Sequence, residues 1–264
     1  MAQTLTPPAV SSDENRKKIN ETGDLMKISS ATSVGKIRAV NEDSFFVSEI
    51  GSSGLTLAVV ADGMGGHNAG EVASLETVNT LKDLIVESDT PIKKLLLSSI
   101  ECANNSVYKM SKQTPTLHGM GTTVTACVVS GERVTAAQVG DSRLYLIRDG
   151  KMTQITKDHS LVEMLVDSGE ITKEAAKHHP QKNIITRAIG TDSSVEADIY
   201  EFFIKKDDIL LLCSDGLVNM VEDEKILSLI TDSDDFSALS DVLVKEAEAA
   251  GGTDNITVVL IKID

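Results

Sequence analysis

Three apolar runs in this sequence carry an aspartate beside a glycine at one end: Asp62-Gly63 after Val60, Asp215-Gly216 after Cys213, and Gly252-Thr253-Asp254 before Ile256. A lone Asp-Gly pair is ordinarily just a turn. Repeated at the ends of three buried-strand patterns, it gathers carboxylates at the rim of a core, where they repel one another and shift their pKa values unless cations neutralise them. All-oxygen ligands suit hard ions such as Mg²⁺ or Mn²⁺. A pair of such ions lowers the pKa of a bridging water from about 15.7 towards roughly 7 and clamps the oxygens of an in-line displacement at phosphorus. No protein nucleophile is then required.

The elements that must hold these groups can be read from periodicity. Leu55 to Ala61 is a short apolar strand pattern, followed by the glycine loop Asp62-Gly-Met-Gly-Gly-His67 and a helical pattern from Ala69 towards Val86. A second long helix is predicted from Pro91, a good first-turn residue, to about Lys112, with Ile92, Leu95, Leu96, Ser99 and Ala103 on one face. Strands follow over Thr122 to Val129 and Arg133 to Val139, joined by Ser130-Gly131-Glu132. Another runs from Arg143 to Ile147 into the tight-hairpin signal Asp149-Gly150. Further strands are predicted at Ile199 to Ile204, Ile209 to Cys213 and Ile256 to Ile263, with helices near Glu222 to Ile230 and Phe236 to Ala249. Helix pairs beside antiparallel hairpins indicate an α+β domain with sheet in its middle.

Composition narrows the function classes. With 25 basic and 40 acidic residues the net charge is −15, which repels nucleic acid and anionic membranes at long range. No segment approaches the roughly 20 apolar residues of a bilayer span, and the first ten residues lack a secretory signal. The three cysteines, Cys102, Cys127 and Cys213, cannot make a paired disulfide framework, which fits a reducing cytoplasm. Residues 1–25, rich in Pro, Ser, Thr, Glu, Asn and Lys without apolar periodicity, read as a flexible leader, so a single domain is expected over 26–264.

Six motifs in order then resemble the PPM family of metal-dependent protein phosphatases, the protein phosphatase 2C type, in its compact bacterial form. They are Gly35-Lys-Ile-Arg38-Ala-Val-Asn41-Glu42-Asp43, Val60-Ala-Asp62-Gly63-Met-Gly-Gly-His67, Gly119-Met-Gly-Thr-Thr123, Val139-Gly-Asp141-Ser-Arg143, Ser214-Asp215-Gly216 and Gly252-Thr-Asp254-Asn255. The resemblance implies a four-layer α/β/β/α sandwich, two central antiparallel sheets flanked by helix pairs, with two Mn²⁺ or Mg²⁺ ions at one edge. It implies hydrolysis of phosphoserine and phosphothreonine proteins by a metal-bridging hydroxide without a covalent enzyme intermediate, and an opposing serine/threonine kinase as a partner.

By the same resemblance Asp62 would bridge the ions, the Gly63 carbonyl would bind one, and Asp215 and Asp254 would complete the other. Arg38 would hold the substrate phosphate, a task its planar fork suits. Glu42 and Asp43 would bind metal-associated waters, and Asn255 would support the shell around them. Asp141 would serve a third, weaker ion, although a hairpin aspartate capping its own turn looks identical in sequence. Residues from about 160–196 would form a flap over the cleft. Many eukaryotic members place histidine directly after the Asp-Gly pair; here that position is Met64, which leaves His67 or metal-associated water as the source of the leaving-group proton.

Rival readings are weaker. A dinucleotide fingerprint would need its third glycine at Asn68. A catalytically silent phosphoprotein-binding module of the same fold would be expected to lack one of the metal aspartates, and all are present. Cys127 and Arg133 have the spacing of a cysteine phosphatase, yet Arg133 opens a strand where that phosphate-cradling loop needs a helix N-terminus.

Overall fold

The computed structural model describes residues 26–50, 54–65, 69–85 and 90–264. In chain order, β1 (Met26–Ser33), β2 (Asp43–Ile50) and β3 (Leu55–Met64) lead into helices α1 (Ala69–Ile85) and α2 (Ile92–Gln113). Strands β4 (Gly121–Thr122), β5 (Val124–Ser130), β6 (Arg133–Val139), β7 (Arg143–Arg148) and β8 (Lys151–Gln154) follow. After the short helices α3 (Leu161–Asp167) and α4 (Lys173–Lys177) come β9 (Asp198–Phe203), β10 (Ile209–Cys213), α5 (Asp215–Val218), α6 (Asp223–Thr231), α7 (Leu239–Ala249) and β11 (Ile256–Ile263).

The strands form two antiparallel sheets, in the orders β1-β11-β10-β7-β8 and β2-β3-β5-β6-β9, with β4 paired to β3. Their near-continuous apolar runs have a physical cause: the central strands are covered on both faces. Along β3, Leu57, Val59 and Ala61 pack with α1 and α2, while Ala58 and Val60 face the other sheet. On β10, Leu211 and Cys213 pack beneath α5, α6 and α7, while Leu210 and Leu212 point between the sheets. The result is the expected four-layer α/β/β/α sandwich.

Most predicted elements stand within a few residues of their expected bounds. Asp149 and Gly150 both have positive φ, 51° and 70°, the conformation a two-residue hairpin of this type requires. The helix expected from Phe236 begins with a 3₁₀ turn at Phe236–Ala238 before α7. Strands β1 and β2 were not foreseen, nor were α3 and α4 within the expected flap. The leader at 1–25 lies outside the described residues.

Topology brings the chemistry to one edge. Asp43 at the start of β2 is directly opposite Asp62 at the end of β3. Asp215 follows β10, Asp254 precedes β11, and Asp141 follows β6.

Candidate metal centre

The end of β3 is pinned by its main chain, which leaves the Asp62 side chain available. The Asp62 N–H donates to Thr123 Oγ1 at 2.9 Å, and its carbonyl accepts from Thr122 Oγ1 at 2.8 Å and from the Thr123 N–H at 2.9 Å. Here the Gly119-Met-Gly-Thr-Thr123 motif does its work. At the next residue a Cβ would stand 2.2 Å from the Gly70 carbonyl oxygen and 2.5 Å from that of Glu42, so only glycine lets β2, β3 and α1 meet at Gly63.

Asp43 is buried between the two sheets. Its Oδ2 accepts from Ser214 Oγ at 2.8 Å and Thr257 Oγ1 at 2.7 Å, whereas its Oδ1 has no hydrogen-bond partner. Glu42 Oε1 accepts from the Gly70 N–H at 3.1 Å, at the start of α1. Asn255 ties the loop before β2 to the start of β11: its Nδ2 donates to the carbonyls of Val34 and Val40, each at 3.0 Å, and its Oδ1 accepts from the Glu42 N–H at 2.8 Å. Arg38 is carried on that loop, and its Nη2 donates to Asp254 Oδ2 at 2.9 Å. Asp215 heads α5; Asn219, one turn on, donates to its Oδ2 at 2.8 Å, and its Oδ1 is buried without a partner.

These carboxylates bear the electrostatic mark of crowding. Burial, reinforced by neighbouring charges, raises Asp43 to about 7 and Asp215 to about 6, and holds Asp62 and Asp141 well above the carboxylate range. Burial also raises Glu42, against the pull of the Gly70 amide and Arg38. Arg38 loses stabilisation by burial but is raised overall by Asp254, Glu42 and Asp62. One guanidinium faces a ring of acids.

A cleft of about 190 Å³ is lined by Arg38, Glu42, Asp62, Gly63, Met64, Gly65, Asp141, Asn183, Ile185, Asp215 and Asp254. The structure thus gathers Arg38, Glu42, Asp62, Gly63, Asp141, Asp215 and Asp254, with Asp43 and Asn255 hydrogen-bonded behind them. Asp141 lines the cleft. His67 lies outside the described residues. Asn183 and Ile185 were missed, since nothing in their local sequence sets them apart; Ser214, Thr257 and Asn219, which orient the acids, gave no signal of that role either.

The chemistry of this donor set fits hard divalent cations: oxygens only, a surplus of negative charge, and two buried carboxylate oxygens without partners. Among the described residues no three His, Cys, Asp or Glu side chains already converge as a finished ligand set. Instead Arg38 neutralises Asp254. Cation binding would replace that pairing.

The cysteine alternative fails on geometry. Cys127 is fully buried within β5 and burial pushes its thiol up to about 12, the opposite of an activated nucleophile.

Residues 33–256 match the family described as protein phosphatase 2C. The chain is 41% identical over 238 residues to the serine/threonine phosphatase stp of Listeria monocytogenes, covering 88% of this chain and 94% of that one. The solved serine/threonine phosphatase of S. agalactiae superposes with a TM-score of 0.86 at 39% identity, covering 90% of this chain and all of that one. The catalytic domain of the phosphatase PstP, solved in complex with 2 manganese ions, gives a TM-score of 0.81 at 37% identity, with 90% and 99% covered. The chain belongs to the protein phosphatase 2C family of metal-dependent serine/threonine phosphatases.

Proposed function

We propose that the carboxylate cleft holds two Mn²⁺ or Mg²⁺ ions, with Asp62 shared between them, the Gly63 carbonyl on one side and Asp215 and Asp254 on the other. The observation that carries this assignment is the convergence of these groups from three strand ends onto one buried, acid-rich cleft. Bound there, the ions supply a lowered water pKa and polarisation of the phosphoryl oxygens. The chain's residues do the rest. Arg38, released from Asp254, donates its fork to the phosphate oxygens of a phosphoserine or phosphothreonine. Glu42 and Asp43 orient water at the ions, Asn255 holds the Arg38 loop against β11, and Asp141 takes a third, weaker ion. Met64 has no proton to give, so in this reading His67 or metal-associated water protonates the departing alcohol.

One catalytic domain spans 26–264, with residues 160–196 as a flap that brings Asn183 and Ile185 to the cleft. Phosphoproteins are the substrates of a serine/threonine phosphatase; a dedicated opposing kinase and a cytoplasmic location are further parts of the proposal. Among the described residues no helix is long and apolar enough to cross a membrane. The silent-module alternative finds no support, since every expected acid is present and the relatives are phosphatases.

Calorimetric Mn²⁺ titration tests the ligand set. Two tight ions are expected for the wild type, and Asp215→Asn or Asp254→Asn is expected to weaken at least one by about 10-fold or more. Unaltered binding in both variants would remove these residues from the set.

A further inference from the structure

Between β6 and β7 the chain turns through Gly140-Asp141-Ser142. Gly140 has φ of 102°, and a Cβ there would stand 2.5 Å from the Thr123 side chain, so shape and conformation both demand glycine. His159 grips this residue twice. Its own N–H donates to the Gly140 carbonyl at 2.8 Å, and its Nδ1 accepts from the Gly140 N–H at 3.1 Å. Gln138 Nε2 also donates to that carbonyl, at 2.9 Å.

His159 is buried, its side chain 7% exposed, so its polar atoms need protein partners. A neutral imidazole carries one proton, and an Nδ1 that accepts leaves it on Nε2, which stands 3.4 Å from Asp198 Oδ2. Arg187 Nη1 donates to Asp198 Oδ1 at 2.8 Å and also contacts the same Nε2 at 3.1 Å. Burial and Arg187 lower the His159 pKa, against Asp198 and Asp158, and so favour this neutral form.

His159 is also the first residue of the flap's base. Its carbonyl accepts from the Thr186 N–H at 2.8 Å, and the neighbouring Ser160 pairs with Ile185, which lines the cleft. One ring thus joins the flap's two ends, through Arg187 and Asp198, to the peptide immediately before Asp141.

We propose that His159 is a positioning residue for Asp141: it fixes the Gly140-Asp141 turn through Nδ1 and couples the flap's base to the third-ion site. The proposal rests on the reading of Asp141 as a metal ligand.

The test is Mn²⁺ counting by electron paramagnetic resonance on the full chain, with Asp141→Asn, His159→Phe and His159→Asn beside the wild type. Phe fills the space without an acceptor, whereas the amide oxygen of Asn can stand near the position of Nδ1. His159→Phe is expected to keep two tight ions and weaken the third by about 10- to 100-fold, and His159→Asn to recover most of that loss. A third ion held equally by wild type and His159→Phe would overturn the proposal, as would Phe and Asn variants impaired alike at every site, the mark of a merely structural role. A wild type lacking any ion sensitive to Asp141→Asn would overturn the ligand reading itself, and the proposal with it.

Discussion

The raised carboxylates give the metal-free chain a distinctive pH response. Asp43 and Asp215 titrate near 7 and 6 when folded, above the ordinary aspartate value, so the unfolded chain releases these protons first. The stability associated with their protonated forms is present below about pH 4 and is lost as pH rises through roughly 6 to 7. In EDTA, the melting temperature is expected to fall by several degrees between pH 5 and pH 8, and Mn²⁺ to restore it most at the higher pH, where the ligands are deprotonated. Thermal melts with and without Mn²⁺ check this; a metal-free melting temperature that rises over that range would contradict it. Asp62, Asp215 and Asp254 were legible in the sequence because each stands at the end of an apolar run. The groups that orient the acids were not: Ser214 and Thr257 hold Asp43 through contacts between elements distant in the chain, for which local sequence has no signal, and Asn219 reaches Asp215 from the end of α5.

Elements that are buried on both faces announced themselves, whereas several partly exposed ones did not. The runs of β3, β5, β10 and β11 are apolar at almost every position, whereas the edge strand β1 mixes Met26 and Ile28 with Lys27, Ser29, Ser30 and Thr32, and β2 mixes Phe45, Phe46 and Val47 with serines. The flap helices α3 and α4, of seven and five residues, bury no residue fully and are too short to show the long periodic face that marks α2. The junction of β2, β3 and α1 is the element-level weak point. Gly63→Ala would force its Cβ against two backbone carbonyls, neither of which can rotate away, and is expected to destabilise the chain by about 1–3 kcal/mol. Urea unfolding in EDTA measures this apart from metal binding; a loss below about 0.5 kcal/mol would show that the junction can relax.

Across the whole molecule, the layer between the sheets supplies stability and the edge supplies chemistry. Leu212 is fully buried in that layer, and Leu212→Ala is expected to cost about 2–5 kcal/mol of stability while leaving the number of tight Mn²⁺ ions unchanged below the melting temperature. Denaturant unfolding and calorimetry would read the two effects separately. Cys127→Ser, in the same layer, is expected to retain phosphatase activity, and an inactive but folded variant would restore a thiol mechanism. The central claim is that Asp62 and its neighbours hold the ions on which phosphate hydrolysis depends. Its most direct test is release of phosphate from a phosphothreonine peptide by the wild type and Asp62→Asn, each with and without Mn²⁺. Turnover by the wild type only with the metal, and a loss of at least about 100-fold in Asp62→Asn despite a wild-type fold, is the predicted result. Metal-dependent turnover that survives Asp62→Asn would contradict the account.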